Sequence, residues 1–258
     1  MISAHRQASH YYFFALALFL LLASGDRAVL AEDIQALTAQ AESLYKQRGD
    51  LSQAVAAAGM YRRILNQDPG NKAAALRLCQ VLVWLGVNSQ GEPEKSYYRE
   101  AVAAGRQAVQ CHPGQTGPIY WLGVACGLLA DKTGALEGLG LVKEAKSCMA
   151  CVIEQDPGYD YGGPYRVLGR VYTKLPPLLG RDLNQAETLL RKALSYGPKY
   201  WLNHLFLADV LARQGREEEA RQLLLEIKNS KPEPGLAPEW CMWHKEACRY
   251  LGSSSGGN

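Results

Sequence analysis

The chain has 258 residues, 48% of them hydrophobic and 21% charged, the composition of an ordinary globular protein with enough apolar material to bury a sizeable core. A formal net charge of +3 is too small to draw the chain to nucleic acid or to an anionic membrane surface, so neither partner is expected.

The first predicted element is an export signal. Arg6 precedes an apolar run from Tyr11 to Ser24, and Val29-Leu30-Ala31 offers small residues where signal peptidase reads. The run is shorter than the roughly 20 residues that span a bilayer, which favours a cleavable signal over residues 1–31, with an uncleaved inner-membrane anchor as the alternative. The mature chain should face the periplasm or the exterior. From Glu32 a helix runs to about Arg48, Gly49-Asp50 turns the chain, and a second helix covers Leu51 to Gln67. The next pair is Ala73 to Gly86, with an apolar stripe of Leu76, Leu78, Val81, Leu82 and Leu85, and Glu94 to Cys111. A third pair is Pro118 to Ala130 and Leu141 to Gln155, joined by a link through Gly138 and Gly140. That link is no phosphate loop, because it follows a helix and lacks the Gly-Lys-Ser/Thr ending. The fourth pair is Pro164 to Leu175 and Gln185 to Tyr196. Its connector, Pro176-Pro177-Leu178-Leu179-Gly180, is apolar enough to need packing on the solenoid or on a partner. The fifth is Trp201 to Gln214 and Glu217 to Lys228, and an amphipathic helix over residues 237–251 should cap the stack, leaving residues 252–258 as a disordered tail.

A fixed frame runs through these pairs. Pro69, Pro113, Pro157, Pro198 and Pro232 are each preceded at twelve residues by an alanine: Ala57, Ala101, Ala145, Ala186 and Ala220. At five residues stands Ile64, Ala108, Val152, Ala193 or Ile227. Two antiparallel helices approach closely only where one presents a small side chain, and proline ends the second helix because it cannot continue the hydrogen-bond ladder. The last two prolines are 34 residues apart, the period of the tetratricopeptide repeat, and the wider spacing of the others means insertions. The expected fold is all-α: a tetratricopeptide-like α-solenoid of about five helical hairpins over residues 32–236, with the cap at 237–251.

Seven cysteines in an exported chain raise the question of disulfides, and the odd number leaves at least one outside any internal pair. Cys79 and Cys126 sit on first helices and are expected as buried thiols. Cys148 and Cys151 form C-x-x-C, without the His of a haem site or the strand-helix setting of a redox site. Cys241, His244 and Cys248 share a helical face, but a structural zinc site needs a fourth ligand, so a local disulfide or packing is the better reading. His112, His204 and His244 lie in different parts of the chain with no nucleophile nearby, so no enzyme, no metal site and no cofactor are expected.

The segment YGGPYRVLGRVYTKLPPLLGRDLNQAETLLRKAL, from Tyr161 to Leu194, resembles the T-component family of tripartite ATP-independent periplasmic (TRAP) transporters. The Tyr-Gly-Gly entry, Leu168-Gly169-Arg170 and the Pro-Leu-Gly connector carry the likeness. The resemblance implies an all-helical periplasmic repeat protein that associates with the solute receptor of an organic-acid transporter, and that in some members forms homo-oligomers with ligand-sized clefts. The chain departs from that pattern in lacking a lipidation cysteine near its signal.

Within a hairpin stack the first helices line the inner surface. Arg166, Arg170 and Lys174 recur every four residues on one such helix, with Arg213 approaching from the next hairpin. Stacked like charges repel, so something anionic should offset them. Guanidinium groups hold carboxylates through paired hydrogen bonds, which points to an acidic protein segment or a small organic acid; the alternative is that Asp209, Asp182 or Asp160 neutralises the row. Tyr161 and Tyr165 flank Gly162-Gly163, and Trp84 and Tyr120 offer aromatic surface, completing the candidate set for ligand or partner binding.

Overall fold

The alanines of the repeated frame are contacts between helices. In the computed structural model of the protein, which describes residues 33–253, Ala57, Ala101, Ala145 and Ala186 are wholly buried, as are Ile64, Ala108, Val152, Ala193 and Ile227. The helices are α1 (residues 33–46), α2 (Leu51–Gln67), α3 (Lys72–Val87), α4 (Glu92–Cys111), α5 (Thr116–Ala130), α6 (Ala135–Gln155), α7 (Tyr159–Lys174), α8 (Leu183–Tyr196), α9 (Trp201–Arg213), α10 (Glu217–Lys228) and α11 (Ala237–Ser253). They pair as five antiparallel hairpins plus α11. Side chains start several of them: Asp50 accepts from Ser52 N at 2.9 Å, Asn71 from Ala74 N at 3.1 Å and Asp182 from Gln185 N at 2.9 Å.

The packing sorts the helices into two layers. First helices touch one another in succession, α3 on α5, α5 on α7, α7 on α9 and α9 on α11, and form the inner layer. Second helices form the outer layer and are laced by ion pairs between consecutive hairpins. Arg62 meets Glu100 at 2.6 Å, Arg106 meets Glu144 at 2.7 Å, and Arg216, just ahead of α10, meets Glu187 at 2.8 Å. The insertions between the early prolines lengthen helices: α4 and α6 have 20 and 21 residues, against 14 in α8 and 12 in α10.

The inner layer curls until its first and last members meet. Arg48, in the turn after α1, donates from Nε and Nη2 to the two carboxylate oxygens of Glu239 on α11, both at 2.8 Å, and from Nη2 to Gly235 O at 2.8 Å. Trp84 Nε1 donates to Arg48 O at 2.9 Å, and the Arg48 guanidinium lies 5.1 Å from the Tyr45 ring and 5.6 Å from that of Trp84. So α11 is more than a cover for the last hairpin, because it also fastens to the first.

Three expectations need correction. The glycine-spaced link is the beginning of α6, whose ladder is already running where Gly138 N bonds Gly134 O at 2.8 Å. Of the two alternatives for the connector after α7, packing on the solenoid is overturned and packing on a partner is left: it forms a 3-10 turn over Pro177–Leu179 in which Leu178 is 98% exposed. And α11 continues through residues 252 and 253, into the stretch expected as tail. The signal at 1–31 and the last residues of the chain lie outside the described residues. Among the described residues no helix is long and apolar enough to cross a membrane.

Candidate functional site

The row of three cations on α7 divides into a sealed part and an open part. Ahead of the regular turns of α7 the backbone is left-handed at three successive residues: Asp160 (φ 49°), Tyr161 (φ 59°) and Gly162 (φ 78°). This reversal brings the Asp160 carboxylate back onto Arg166, its ion-pair partner. Arg166 Nη1 also donates to Asp160 O and Asn203 Oδ1, each at 3.1 Å, and Nη2 donates to the Tyr120 hydroxyl at 2.9 Å. Tyr120 donates its own proton to Asp160 Oδ2 at 2.5 Å, and the Tyr200 ring lies 4.4 Å from the guanidinium. Asn203 Nδ2 donates to the carbonyls of Tyr161, Ala193 and Gly197 at 3.1 to 3.2 Å.

The double glycine serves this node. A Cβ on Gly162 would lie 2.7 Å from Ala193 O, and one on Gly163 would lie 2.5 Å from the Tyr120 hydroxyl, so only glycine admits both approaches. With Arg166 only 3% exposed and both terminal nitrogens committed, it is not a surface group waiting for an anion; Asp160 supplies the offsetting charge from within the chain. Tyr120 and Trp84 are likewise enclosed, at 2% and 8% exposure. Tyr161 is half exposed and stacks on Tyr200 with ring centres 4.8 Å apart, and Tyr165 stacks on Tyr196 at 5.8 Å.

The open part is Arg170, Lys174 and Arg213. Asp209 pairs with Arg170 and accepts from Arg213 Nε at 2.9 Å, while the Arg170 guanidinium lies 4.6 Å from the Phe206 ring. Burial alone would raise the Asp209 pKa, but Arg170 and Arg213 outweigh it and hold the carboxyl below its ordinary value. Lys174 is exposed and makes no hydrogen bond or ion pair with the described residues. Partial burial, then the charge of Arg170, holds its ammonium below the ordinary lysine value. The sequence row therefore brings Arg170, Lys174 and Arg213 together, and leaves Arg166 in the interior.

Asn203, Tyr200, Arg48 and Glu239 do not stand out in the sequence. The signal for Asn203 is its offset: it stands 37 residues after Arg166, about one repeat further along, as Asp209 stands 39 after Arg170. Elsewhere Cys79 and Cys126 are buried thiols, and burial pushes the Cys79 thiol up to about 12. All seven cysteines are free, with Cys248 Sγ 3.9 Å from His244 Nδ1, and the described residues hold no group of three or more His, Cys, Asp or Glu suited to a metal ion. An open depression of about 530 Å³ lies between α4 and α6, rimmed by Arg99, Arg106, Glu137 and Glu144. A narrow groove of about 50 Å³ runs between α9, α10 and α11 along Leu205, Ala208, Ala212 and Leu224, and Asp209 forms its border.

Residues 87–234, more than half of the chain, match the model of the family described as TRAP transporter T-component. No curated protein matches the sequence. Among solved structures the chain is similar to TTC0263, a thermophilic TPR protein in Thermus thermophilus, with a TM-score of 0.61 at 21% identity over 84% of this chain and 99% of that one. It is also similar to the MamA protein, with a TM-score of 0.49 at 16% identity over 85% of this chain and 96% of that one. The first of these likenesses shows the fold, a stack of tetratricopeptide hairpins.

Proposed function

Because this chain belongs to the TRAP transporter T-component family, we propose that it works by binding rather than by catalysis, as an accessory of TRAP-type solute uptake that engages a protein partner. The observation that carries this reading is the family match over residues 87–234, which covers the hairpins bearing both the sealed node and the open cations. The partner that fits is the transporter's solute-binding receptor. The export signal read in residues 1–31 supports a site of action outside the cytoplasm. Arg166 is closed off by its own neighbours, so binding of a small organic acid at that position has no support from the geometry, and the reading rests on a protein contact.

Chemical cross-linking in intact cells, followed by capture of the protein and mass spectrometry, tests this. Recovery of a solute-binding receptor is the expected result. Recovery of envelope-assembly proteins alone, or of the chain with itself alone, removes the transport claim and leaves a general scaffold.

A further inference from the structure

The open cations carry more charge than the fold neutralises. Arg170 and Arg213 converge on Asp209, while Lys174 feels Asp131, beyond the end of α5, and Asp209 without pairing with either. Donors are left over as well. Asp209 engages one nitrogen of Arg170 and Nε of Arg213. The terminal nitrogens of Arg213, the remaining nitrogens of Arg170 and the Lys174 ammonium find no acceptor among the described residues. The arrangement is held rather than loose, since Asp209 ties the two guanidinium groups together and Phe206 lies against one of them. A fixed fork with unused donors is the geometry that takes a carboxylate through parallel hydrogen bonds.

We propose that Arg170, Lys174 and Arg213 bind an acidic peptide segment of the partner protein, with Asp209 holding the two arginines in place. This deepens the binding function proposed above and rests on it. Two observations favour a peptide over a free organic acid. The cations are open on one side, with the Arg170 and Arg213 side chains 31% and 39% exposed, so a small acid there keeps most of its water and gains little. The groove bordered by Asp209 has an apolar floor of Leu205, Ala208, Ala212 and Leu224 with Glu217 and Arg221 also lining it, and at about 50 Å³ it has room for a side-chain tip and not for a whole solute. An extended segment can set carboxylates on the cations and one apolar side chain in the groove.

The test is selection of random 12-residue peptides on the purified full chain, repeated with Lys174→Glu and with Arg213→Gln. Lys174 has no internal partner to lose, so the first variant keeps its fold, which a thermal melt checks. The full chain should enrich peptides rich in Asp and Glu, and Lys174→Glu should weaken the best of them roughly tenfold or more, as expected when like charges are set against each other. Affinity should also fall as salt is raised from low to physiological strength. Enrichment without acidic excess, the same peptides bound equally by Lys174→Glu, or displacement of the peptide by millimolar succinate would each overturn the proposal. In-cell capture separates the two readings. If both the full chain and Lys174→Glu recover the receptor equally, this site is wrong and the function stands; if neither does while acidic peptides still bind, the site stands and the transport role falls.

Discussion

Asp160 and Tyr161 hold a left-handed backbone that costs a non-glycine residue on the order of 1–2 kcal/mol, and the Arg166 node is what repays it. In the sequence Arg166 is the first of three equivalent cations, and its replacement by alanine reads as a loss of binding alone. The structure makes it a different experiment. Arg166→Ala strips a partly buried carboxylate, a buried amide and a buried hydroxyl of their shared donor, and a loss of about 3 kcal/mol of stability is expected, read from urea denaturation. A midpoint unchanged from the parent would show that the node contributes nothing. His204 gives a second prediction. It is buried on α9, with Nε2 3.1 Å from Glu226, and burial outweighs that carboxylate to hold its pKa below the ordinary value. A folded pKa below the unfolded one, about 6.5, means that the unfolded chain binds the proton more readily. The stability contributed is therefore complete above that pH and lost as pH falls through it. Denaturation at pH 7.5 and pH 5 should show a larger drop for the parent than for His204→Gln; equal drops would refute it.

At the scale of elements, the legible features are those set by local chemistry. Leu51 to Gln67 and Glu217 to Lys228 have the bounds read from sequence, because the Asp50 cap starts the first, three glutamates fill the first turn of the second, and apolar spacing agrees in both. The start of α6 is hidden because Gly138 and Gly140 each carry a helix penalty of about 1 kcal/mol. Burial of Leu141, Ala145, Met149 and Val152 along the same helix outweighs it, and that is tertiary information. The kink ahead of α7 is illegible for a related reason: aspartate tolerates positive φ but nothing local marks Tyr161 for it, and partners on α5 and α9 hold both residues there. The connector between α7 and α8 is apolar as read, and the structure sharpens the prediction for it. With Leu178 in solvent, Leu178→Ser should alter the melting free energy by no more than about 0.5 kcal/mol; a larger loss would mean that the side chain is packed in the folded protein.

For the whole molecule, hairpin number, pairing and layer assignment are set by the spacing of proline and alanine, whereas the join between Arg48 and Glu239 is not, since the two are 191 residues apart and no periodicity links them. Their side chains are 11% and 16% exposed and the pair is bidentate. Arg48→Ala is expected to lower stability by about 2 kcal/mol and to accelerate amide hydrogen exchange in α11 and in the turn after α1, while α5 and α8 keep their protection. Uniform acceleration through the chain would argue against a local join. A repeat array ordinarily frays from its termini, each unit leaning only on its neighbours, so that loss of one end leaves the other undisturbed. Here the described ends lean on each other. Clipping α11 would loosen α1, trimming α1 would release α11, and the two would become sensitive to protease as a single event.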